Sequence, residues 1–414
     1  MAPLKTLICG GGCAGPALAF WLARIGHRVV VVERFPALRA TGAQIDLRAQ
    51  GIEVAKRMGL LDAIRRKRVH EEGFCLVDSD GRVKATVKPN TSGHGAQSVT
   101  SEYEIMRGDL VRILHDATKD DVEYRFGKTV DRYEQVDNRV VAHFSDGSSD
   151  TFDLLVGADG QGSRIRGGIL PADAPDPYWR MGMHMAYWFI PRTETDANFF
   201  TWYHAPGGRL VIRRSHSPTQ SQAYFVLRDN SEDLSHLFKA SVEKQKEFWT
   251  QRYRDAGWEV DRFIEGMQHA DNFYSHENLQ VRIDTWSKGR VVLLGDAAHC
   301  PAVFTGMGTT GSLVGAYVLA GELSRYPHDI AKALENYDTT LRPFVKEIQK
   351  TGPSWLMRLG IPETKWGISV LRAVATMLCV LRVPDLIARF SGEDRGGWKL
   401  PDYPKLTPHS KPRS

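Results

Sequence analysis

Two stretches of the chain share the spacing Gly-x-Gly-x-x-Gly. The first, GGGCAG, covers residues 10–15, and the second, GMGTTG, covers residues 306–311. This spacing is typical of a turn in which the backbone approaches a dinucleotide pyrophosphate at the N-terminus of a helix. The two copies raise the question of whether the chain has two dinucleotide sites or makes two contacts with one dinucleotide.

The first motif lies inside a complete βαβ pattern. An apolar strand, KTLIC, precedes the glycines, a helical pattern follows them, and the β-branched run RVVVVE ends at Glu33, 18 residues after Gly15. A carboxylate at the end of the second strand is placed to accept hydrogen bonds from the hydroxyls of an adenosine ribose. We therefore predict that Gly10, Gly12 and Gly15 face a pyrophosphate and that Glu33 binds the ribose.

The second motif has no such unit behind it. A second unit would need a buried strand that ends in an acid about 20 residues further on. That region, LAGELSRYPHD, has the pattern of a helix and a loop, and Glu322 falls inside the helix, which we expect to begin near Ser312. We therefore predict a single dinucleotide site that both glycine motifs contact.

Composition limits the remaining possibilities. The 414 residues are 42% hydrophobic and 25% charged with a net charge of +5, which is typical of a soluble globular protein of two or three structural units. No basic run with interleaved aromatic residues indicates nucleic-acid binding. The five cysteines are scattered, so we expect no disulfide framework, no metal site and a reducing, cytoplasmic location, and the N-terminus lacks the pattern of a signal peptide.

Three motifs in order along the chain carry a family resemblance. They are GGGCAG followed by Glu33 and Arg34, DLLVGADGQGSRIR at 153–166, and GRVVLLGDAAHCP at 289–301. Together they resemble the flavoprotein monooxygenases related to para-hydroxybenzoate hydroxylase. The stretches GAQIDLRAQG, YEIMRGDLVRIL and LVGAYVLAGEL are similar to the branch that contains the tetracycline-inactivating monooxygenases.

The resemblance implies an α/β fold with a Rossmann-like FAD-binding domain, an antiparallel-sheet substrate domain and C-terminal helices. The aromatic-rich strands from about Tyr178 to Leu227 fit the substrate sheet. We predict a discontinuous FAD-binding domain (1–72, 99–175 and 273–345), a substrate-binding sheet domain (73–98 and 176–272), a C-terminal helical region (346–398) and a tail (399–414).

The resemblance also implies which residues hold FAD. Glu33 and Arg34 would lie at the adenosine end, and the helix N-terminus at the second glycine motif would stabilise the reduced, anionic flavin. Met307 and Thr310 depart from the Gln and Asn usual there. The implied cofactor-binding residues are Gly10, Gly12, Gly15, Glu33, Arg34, Asp46, Arg107, Asp159, Asp296, Gly306 and Gly308.

The substrate pocket should lie between the flavin and the substrate sheet. Because side chains alternate along a strand, about half of the candidates should face away from it. Arg214 is an equal choice with Arg213, and we name no catalytic acid or base; His299 is expected to support the site. The candidates are Met183, Met185, Tyr187, Tyr203, Arg213, Phe225 and Phe304.

The implied reaction is a monooxygenation. NAD(P)H would reduce FAD, and a C4a-hydroperoxyflavin would transfer one oxygen atom from O₂ to an aromatic or polycyclic molecule, such as a tetracycline or another aromatic polyketide. Baeyer–Villiger oxygenation of a cyclic ketone and a non-catalytic, FAD-binding redox sensor are the alternatives. A flavin halogenase would carry a Trp-x-Trp-x-x-Ile-Pro stretch and a disulfide reductase a cysteine pair between Cys13 and Cys75, and the chain has neither.

The apolar stretch 366–381 allows two interpretations. Its apolar content exceeds that of a free surface helix, which favours a lid at the pocket entrance, as in the tetracycline-inactivating relatives. The rival is an amphipathic helix on a membrane surface, which we favour less. For the whole chain we expect a monomer or a weak dimer.

Overall fold

A mostly parallel sheet of six strands grows from the N-terminal βαβ unit. In the computed structural model, strand Lys5–Cys9 lies between Arg28–Glu33 and Leu154–Gly157 and runs parallel to both. These strands are buried on both faces, which explains their unbroken apolar sequences. The structure describes residues 3–39, 42–88, 103–230, 234–351, 359–383 and 397–406. The sheet order is Ser287–Lys288, Val291–Leu293, Leu154–Gly157, Lys5–Cys9, Arg28–Glu33 and Glu123–Phe126.

Two helices that begin at the glycine motifs pack against each other on this sheet. The first helix, Ala14–Arg24, contacts the long helix, Gly308–Arg325, and the rings of Trp21 and Tyr317 meet edge to face at 5.2 Å. The long helix begins at Gly308, four residues before the Ser312 that we expected, because the chain turns helical directly after a left-handed Gly306. The two glycine motifs therefore begin neighbouring helices.

A second sheet of seven strands is antiparallel except where Gly73–Val77 pairs with Phe199–Ala205. Helices Val242–Tyr253 and Val260–His269 cover one face of it. The other face, which we call the inner face, contacts Ala43 and Gln44, at the start of the short strand Gln44–Asp46. The strand order is Tyr274–Val281, Tyr178–Pro191, Gln220–Arg228, Arg209–Ser215, Phe199–Ala205, Gly73–Val77 and Val83–Val87.

Shorter elements complete the described fold. Strands Gln44–Asp46 and Glu104–Met106 form an antiparallel pair between the two large sheets. A three-stranded sheet has the order Ser149–Phe152, Arg139–Phe144 and Val130–Val136. The other helices are Gln50–Arg57, Leu61–Arg66, Arg107–Asp116, Arg164–Ile169, Leu234–Leu237, Asp296–His299, Ile330–Ile348 and Lys365–Val380.

This architecture confirms the predicted α/β fold with a Rossmann-like unit, an antiparallel sheet and C-terminal helices. The helix Lys365–Val380, here called the C-terminal helix, packs on the edge strand Val83–Val87. Parts of the predicted helical region, 352–358 and 384–396, lie outside the described residues. Its suggested role as a lid stays a prediction.

Candidate active site

The first glycine motif forms a loop that only glycine fits. Gly10 has a φ of +120°, and a Cβ there would lie 2.3 Å from the carbonyl oxygen of Ala158. A Cβ on Gly15 would lie 2.0 Å from the carbonyl oxygen of Gly10. The first helix follows at once, and Cys13 makes no side-chain cap to it. The N–H groups of its first turn are therefore available to an anion.

Glu33 stands beside this loop. One carboxylate oxygen accepts a hydrogen bond from the backbone N–H of Gly11 at 2.8 Å, and the other accepts one from Phe35 at 3.1 Å. The side chain is buried. Because each carboxylate oxygen has two acceptor sites, Glu33 keeps capacity for ribose hydroxyls. Its role as the ribose ligand stays a prediction.

Several cations converge near the same loop. A Cβ on Gly12 would lie 3.2 Å from the Arg107 guanidinium, so Arg107 extends over the glycines. Burial, and then the nearby charge of Arg107, lower the pKa of Arg39 below its usual value, and Arg34 adds to this effect. An anionic pyrophosphate would relieve the repulsion among these side chains. The sequence analysis missed Arg39, because no motif spacing marks it.

Asp296 lies near the N-terminus of the first helix. The charges of both Arg107 and Asp296 act on Cys13, which places them around that N-terminus. Burial raises the pKa of Asp296, although Arg107 opposes this shift. His299, three residues on, is buried against the ring of Trp286 at 5.2 Å. This packing fits a supporting residue rather than a base.

The second glycine motif is tied to the segment that contains Asp46. The Thr310 hydroxyl accepts a hydrogen bond from the backbone N–H of Arg48 at 3.0 Å and lies 3.2 Å from the Arg48 carbonyl oxygen. A Cβ on Gly306 would lie 3.2 Å from the Arg48 side chain, which in turn pairs with Asp46 at 2.5 Å. Arg48 is a second residue that the sequence analysis missed. Met307 makes no side-chain cap, so the N-terminus of the long helix is available too.

Asp159 has a local partner set. It accepts hydrogen bonds from the Ser163 hydroxyl at 2.6 Å and from the backbone N–H of Arg164 at 2.8 Å. The carboxylate therefore holds the turn that leads into Arg164–Ile169. This geometry supports the shape of the loop next to Ala158, which contacts Gly10.

The inner face of the seven-stranded sheet carries part of the predicted substrate set. Met183 and Tyr187 are buried in one apolar cluster, and Met185 packs against it. The Tyr187 hydroxyl donates a hydrogen bond to the carbonyl oxygen of Gly42 at 3.3 Å. Other members of this cluster and its border are Phe189, Phe200, Trp202, Leu210, Ile212, Tyr224, Val226 and Ile361.

Three other predicted residues face the opposite way, which is a correction. The Tyr203 hydroxyl donates to the carbonyl oxygen of Ala256, and the Phe225 ring stacks on Tyr253 with centroids 4.0 Å apart. Arg213 is buried under the helices as well. Successive residues of a strand point to opposite faces of the sheet, and these three point toward the covering helices. The sequence does not reveal which of the two alternating sets of residues points toward the inner face. Phe304 is exposed in the turn before the second glycine motif.

Arg213 belongs to a buried ionic cluster on that helical face. Its guanidinium binds Asp196 at 3.0 Å and Glu259 at 2.6 Å, and Arg262 binds Asp196 at 2.6 Å. Ser221 donates a further hydrogen bond to Asp196 at 2.8 Å. Burial opposes ionisation of Asp196, but Arg262 and Arg213 outweigh it and hold the pKa of Asp196 well below its usual value. The cluster joins the sheet to its covering helix.

Replacing Asp196 with asparagine is expected to lower the free energy of unfolding by about 3 kcal/mol, because the buried Arg213 and the half-buried Arg262 lose their shared carboxylate. Since the folded pKa is depressed, this stabilisation is complete above pH about 4 and is lost at more acidic pH. Denaturant unfolding at pH 7 measures the change. Asp255→Asn, at an exposed carboxylate that pairs with Arg209, is the control and should change little. An unchanged midpoint for Asp196→Asn would contradict the structural role.

Arg214, the next residue, lies on the inner face and bridges two buried carboxylates. It binds Glu71 at 3.0 Å and Glu104 at 2.8 Å, and its guanidinium covers the Phe200 ring at 4.0 Å. Burial raises the pKa of Glu104 to about 7, Arg214 opposes this shift, and Glu71 adds to it. Burial, together with the second carboxylate beside it, therefore favours the protonated form of Glu104.

This cluster continues into neutral polar groups. The Gln222 amide donates a hydrogen bond to Gln44 at 2.9 Å, and the Tyr224 hydroxyl donates one to Gln222 at 2.8 Å. Gln44 precedes Asp46 in the strand that pairs with Glu104–Met106. The polar end of the inner face is therefore joined through backbone pairing to the segment that contacts the second glycine motif.

Replacing Glu104 with glutamine is expected to flatten the pH dependence of stability. Between pH 4.5 and about 7 the folded protein holds a proton on Glu104 that the unfolded chain has lost, so stability falls as pH rises through this window. Glutamine mimics the neutral acid and should remove on the order of 2 kcal/mol of that loss. Urea unfolding at pH 5 and pH 8 measures it. Glu335→Gln, on an exposed helical surface, should leave the dependence as in the unmodified protein, and an identical result for Glu104→Gln would contradict the protonated state.

Three comparisons with known proteins agree with this geometry. A family model described as the FAD binding domain matches residues 3–351. The FAD-dependent monooxygenase asL4 of Sarocladium schorii is 39% identical over 437 residues, covering 98% of this chain and 99% of that protein. The flavin-dependent monooxygenase eupH of Phoma sp is 38% identical, covering 91% and 92%. The crystal structure of tetracycline destructase Tet(51) aligns with a TM-score of 0.79 at 30% identity, covering 97% of this chain and 100% of that chain.

The fold and the glycine loops define a flavoprotein, and the chain belongs to the FAD-binding-domain family. Its relatives and fold place it among the class A flavoprotein monooxygenases, and it is an FAD-dependent monooxygenase similar to asL4 and to the tetracycline destructases. This confirms the predicted family, enzyme class and FAD cofactor.

Proposed function

We propose that the protein uses NAD(P)H and O₂ to hydroxylate an aromatic or polycyclic small molecule at the inner face of its seven-stranded sheet. The observation that carries the proposal is the pairing of two uncapped helix N-termini, at Ala14 and at Gly308, on helices packed against each other. The two N-termini would hold one FAD between them, the first at its pyrophosphate and the second beside its ring. Bound and reduced, FAD supplies the activation of O₂ from which one oxygen atom is transferred.

The chain's own groups would hold the two ends of FAD differently. Glu33 accepts the ribose hydroxyls, and the loop N–H groups with Arg107 and Arg39 neutralise the pyrophosphate. The N-terminus of the long helix would place partial positive charge beside the ring, which would favour its reduced, anionic form. Arg48 and Thr310 hold that N-terminus against the strand that contains Asp46.

The inner face supports a flat, partly phenolic substrate. Its border carries aromatic and methionine side chains, which stack on planar rings and adapt to their shape. At one end Arg214 and Glu104 offer charged and proton-holding groups to substrate oxygens. A similar structure belongs to a tetracycline destructase. The substrate class that we propose for this protein is therefore the aromatic polyketides.

Substrate-stimulated NADPH oxidation in the FAD-loaded protein tests the proposal. Polycyclic phenols, including a tetracycline, are compared with saturated cyclic ketones, and mass spectrometry detects the added oxygen atom. We expect stimulation by phenols and a hydroxylated product. A ring-expanded ester or lactone as the product would support Baeyer–Villiger oxygenation instead, and FAD reduction without oxygenation of any compound would support a redox sensor.

A further inference from the structure

The edge strand of the seven-stranded sheet, Tyr274–Val281, presents a row of three side chains to the inner face. Its residue His276 pairs directly with Met185, which packs against the apolar cluster of that face. Directly opposite residues of an antiparallel pair lie on the same face of a sheet, and so do residues two apart in one strand. The row therefore consists of Tyr274, His276 and Asn278.

The two outer side chains of this row contact the surroundings of the two glycine motifs. The guanidinium of Arg39, one of the cations near the first glycine loop, lies 5.6 Å from the centre of the Tyr274 ring. The Asn278 side chain accepts a hydrogen bond from the backbone N–H of Val303 at 3.1 Å, in the turn before the second glycine motif. His276 stands between them, with its ring stacked on Tyr274 at 5.0 Å. A cofactor that spans both motifs would therefore pass along this row.

His276 has hydrogen-bonding capacity that the described protein does not use. Of its two ring nitrogens, Nδ1 is enclosed and Nε2 is not, and neither forms a hydrogen bond with a described residue. Buried polar groups are nearly always paired, so an unpaired ring at this position is an exception that a ligand would explain. An enclosed N–H without an acceptor is rarer than an enclosed acceptor without a donor. We therefore expect the proton on Nε2, where it can be donated to a ligand.

We propose that His276 is a further FAD-binding residue, whose Nε2–H group donates a hydrogen bond to a hydroxyl of the ribityl chain. This inference rests on the proposed function, in which the flavin ring lies at the second glycine motif. The ribityl chain lies between the pyrophosphate and the ring of FAD, as His276 lies between the surroundings of the two motifs. Burial, and then the charge of His184, lower the pKa of His276 to about 4, so the imidazole is neutral at pH 7 and suits a hydroxyl better than an anion.

The position of His276 favours the cofactor over the polar part of the substrate. The polar end of the inner face, at Arg214, belongs to strand Arg209–Ser215, which is three strands away from the edge strand. Neighbouring strands are about 4.8 Å apart, so roughly 14 Å separates the two strands. The neighbours of His276 in its row contact the segments predicted to hold FAD instead.

Equilibrium binding of FAD and of ADP to the apoprotein tests the proposal. ADP carries the adenosine and the pyrophosphate of FAD but has neither the ribityl chain nor the ring. We expect His276→Leu to raise the Kd for FAD by roughly five- to tenfold and to leave the Kd for ADP unchanged, because leucine removes only the hydrogen bond to the ribityl chain. His276→Gln, whose amide can donate from near the position of Nε2, should recover most of the FAD affinity. His143→Leu, at a half-buried histidine of the three-stranded sheet, is the control.

Melting temperature and circular dichroism establish that each variant is folded. If leucine is not tolerated, His276→Asn, whose shorter amide does not reach the position of Nε2, replaces it in the comparison with His276→Gln. An unchanged Kd for FAD overturns the proposal, and so does an equal loss of ADP affinity, which would place His276 at the pyrophosphate. A shifted midpoint potential of the bound FAD would place His276 at the ring and overturn the ribityl contact.

Gly308→Leu, measured alongside, separates this inference from the proposed function. If Gly308→Leu weakens FAD binding and His276→Leu does not, the role of His276 alone is wrong. If neither substitution weakens it, the placement of the ring at the second glycine motif is wrong as well.

Discussion

Replacing Gly12 with valine should greatly weaken FAD binding and leave the protein folded. A Cβ at this position meets only the flexible end of Arg107, at 3.2 Å, so the fold itself tolerates a side chain. The valine methyl groups would, however, stand between the glycine loop and Arg107, where a pyrophosphate must approach both. We expect the Kd for FAD to rise by about 100-fold or more. Fluorescence titration of the apoprotein with FAD measures it.

Two further substitutions separate this effect from general damage. Gly15→Val should prevent folding, because a Cβ there would lie 2.0 Å from the backbone of Gly10, and no side-chain movement relieves that clash. Gly167→Val, at a helical glycine with no atom within 4 Å, should bind FAD normally. A Gly12→Val protein that keeps the FAD affinity of Gly167→Val would show that the pyrophosphate lies elsewhere.

The predictable part of the site is the part that local sequence determines. Gly10, Gly15 and Glu33 follow from the βαβ pattern because strand, turn, helix and strand are consecutive, and the spacing alone brings the carboxylate to the loop. The beginning of the long helix was placed four residues late, since no capping side chain marks Gly308. The missing side-chain cap leaves the first backbone N–H groups of the long helix available to a ligand.

The part that sequence did not reveal depends on contacts between distant segments. Arg214 meets Glu71 and Glu104 across separations of 143 and 110 residues, and no local pattern links the three. Arg213 and Arg214 are neighbours in one strand, so one points toward the covering helices and the other toward the inner face. The sequence alone does not say which of the two points inward. The charge of Arg107 acts on Arg39 near the first glycine loop, and Arg48 lies beside Gly306 in the second motif, through folding that no local spacing encodes.

The second glycine motif offers the sharpest test of one dinucleotide site against two. At Gly308 the nearest atom to an added Cβ is a Pro301 carbon at 4.0 Å, so the protein leaves open space before the long helix. If the flavin ring fills that space, Gly308→Leu removes the close approach between the ring and the helix N-terminus. The partial positive charge there would no longer stabilise the reduced ring.

We therefore expect Gly308→Leu to raise the Kd for FAD by about tenfold, or ~1.4 kcal/mol, and to lower the midpoint potential of the FAD that still binds. Titration and spectroelectrochemistry measure the two effects, with Gly167→Leu as the matched control in open helical space. The first glycine loop is untouched by this change, so a loss of FAD affinity can only come from contact at the second motif. Normal FAD binding and potential, with a raised KM for NADPH alone, would instead place a separate nicotinamide site there. The first helix packs against the long helix, so one cofactor could contact both N-termini. This packing favours weakened FAD binding over an effect on NADPH alone.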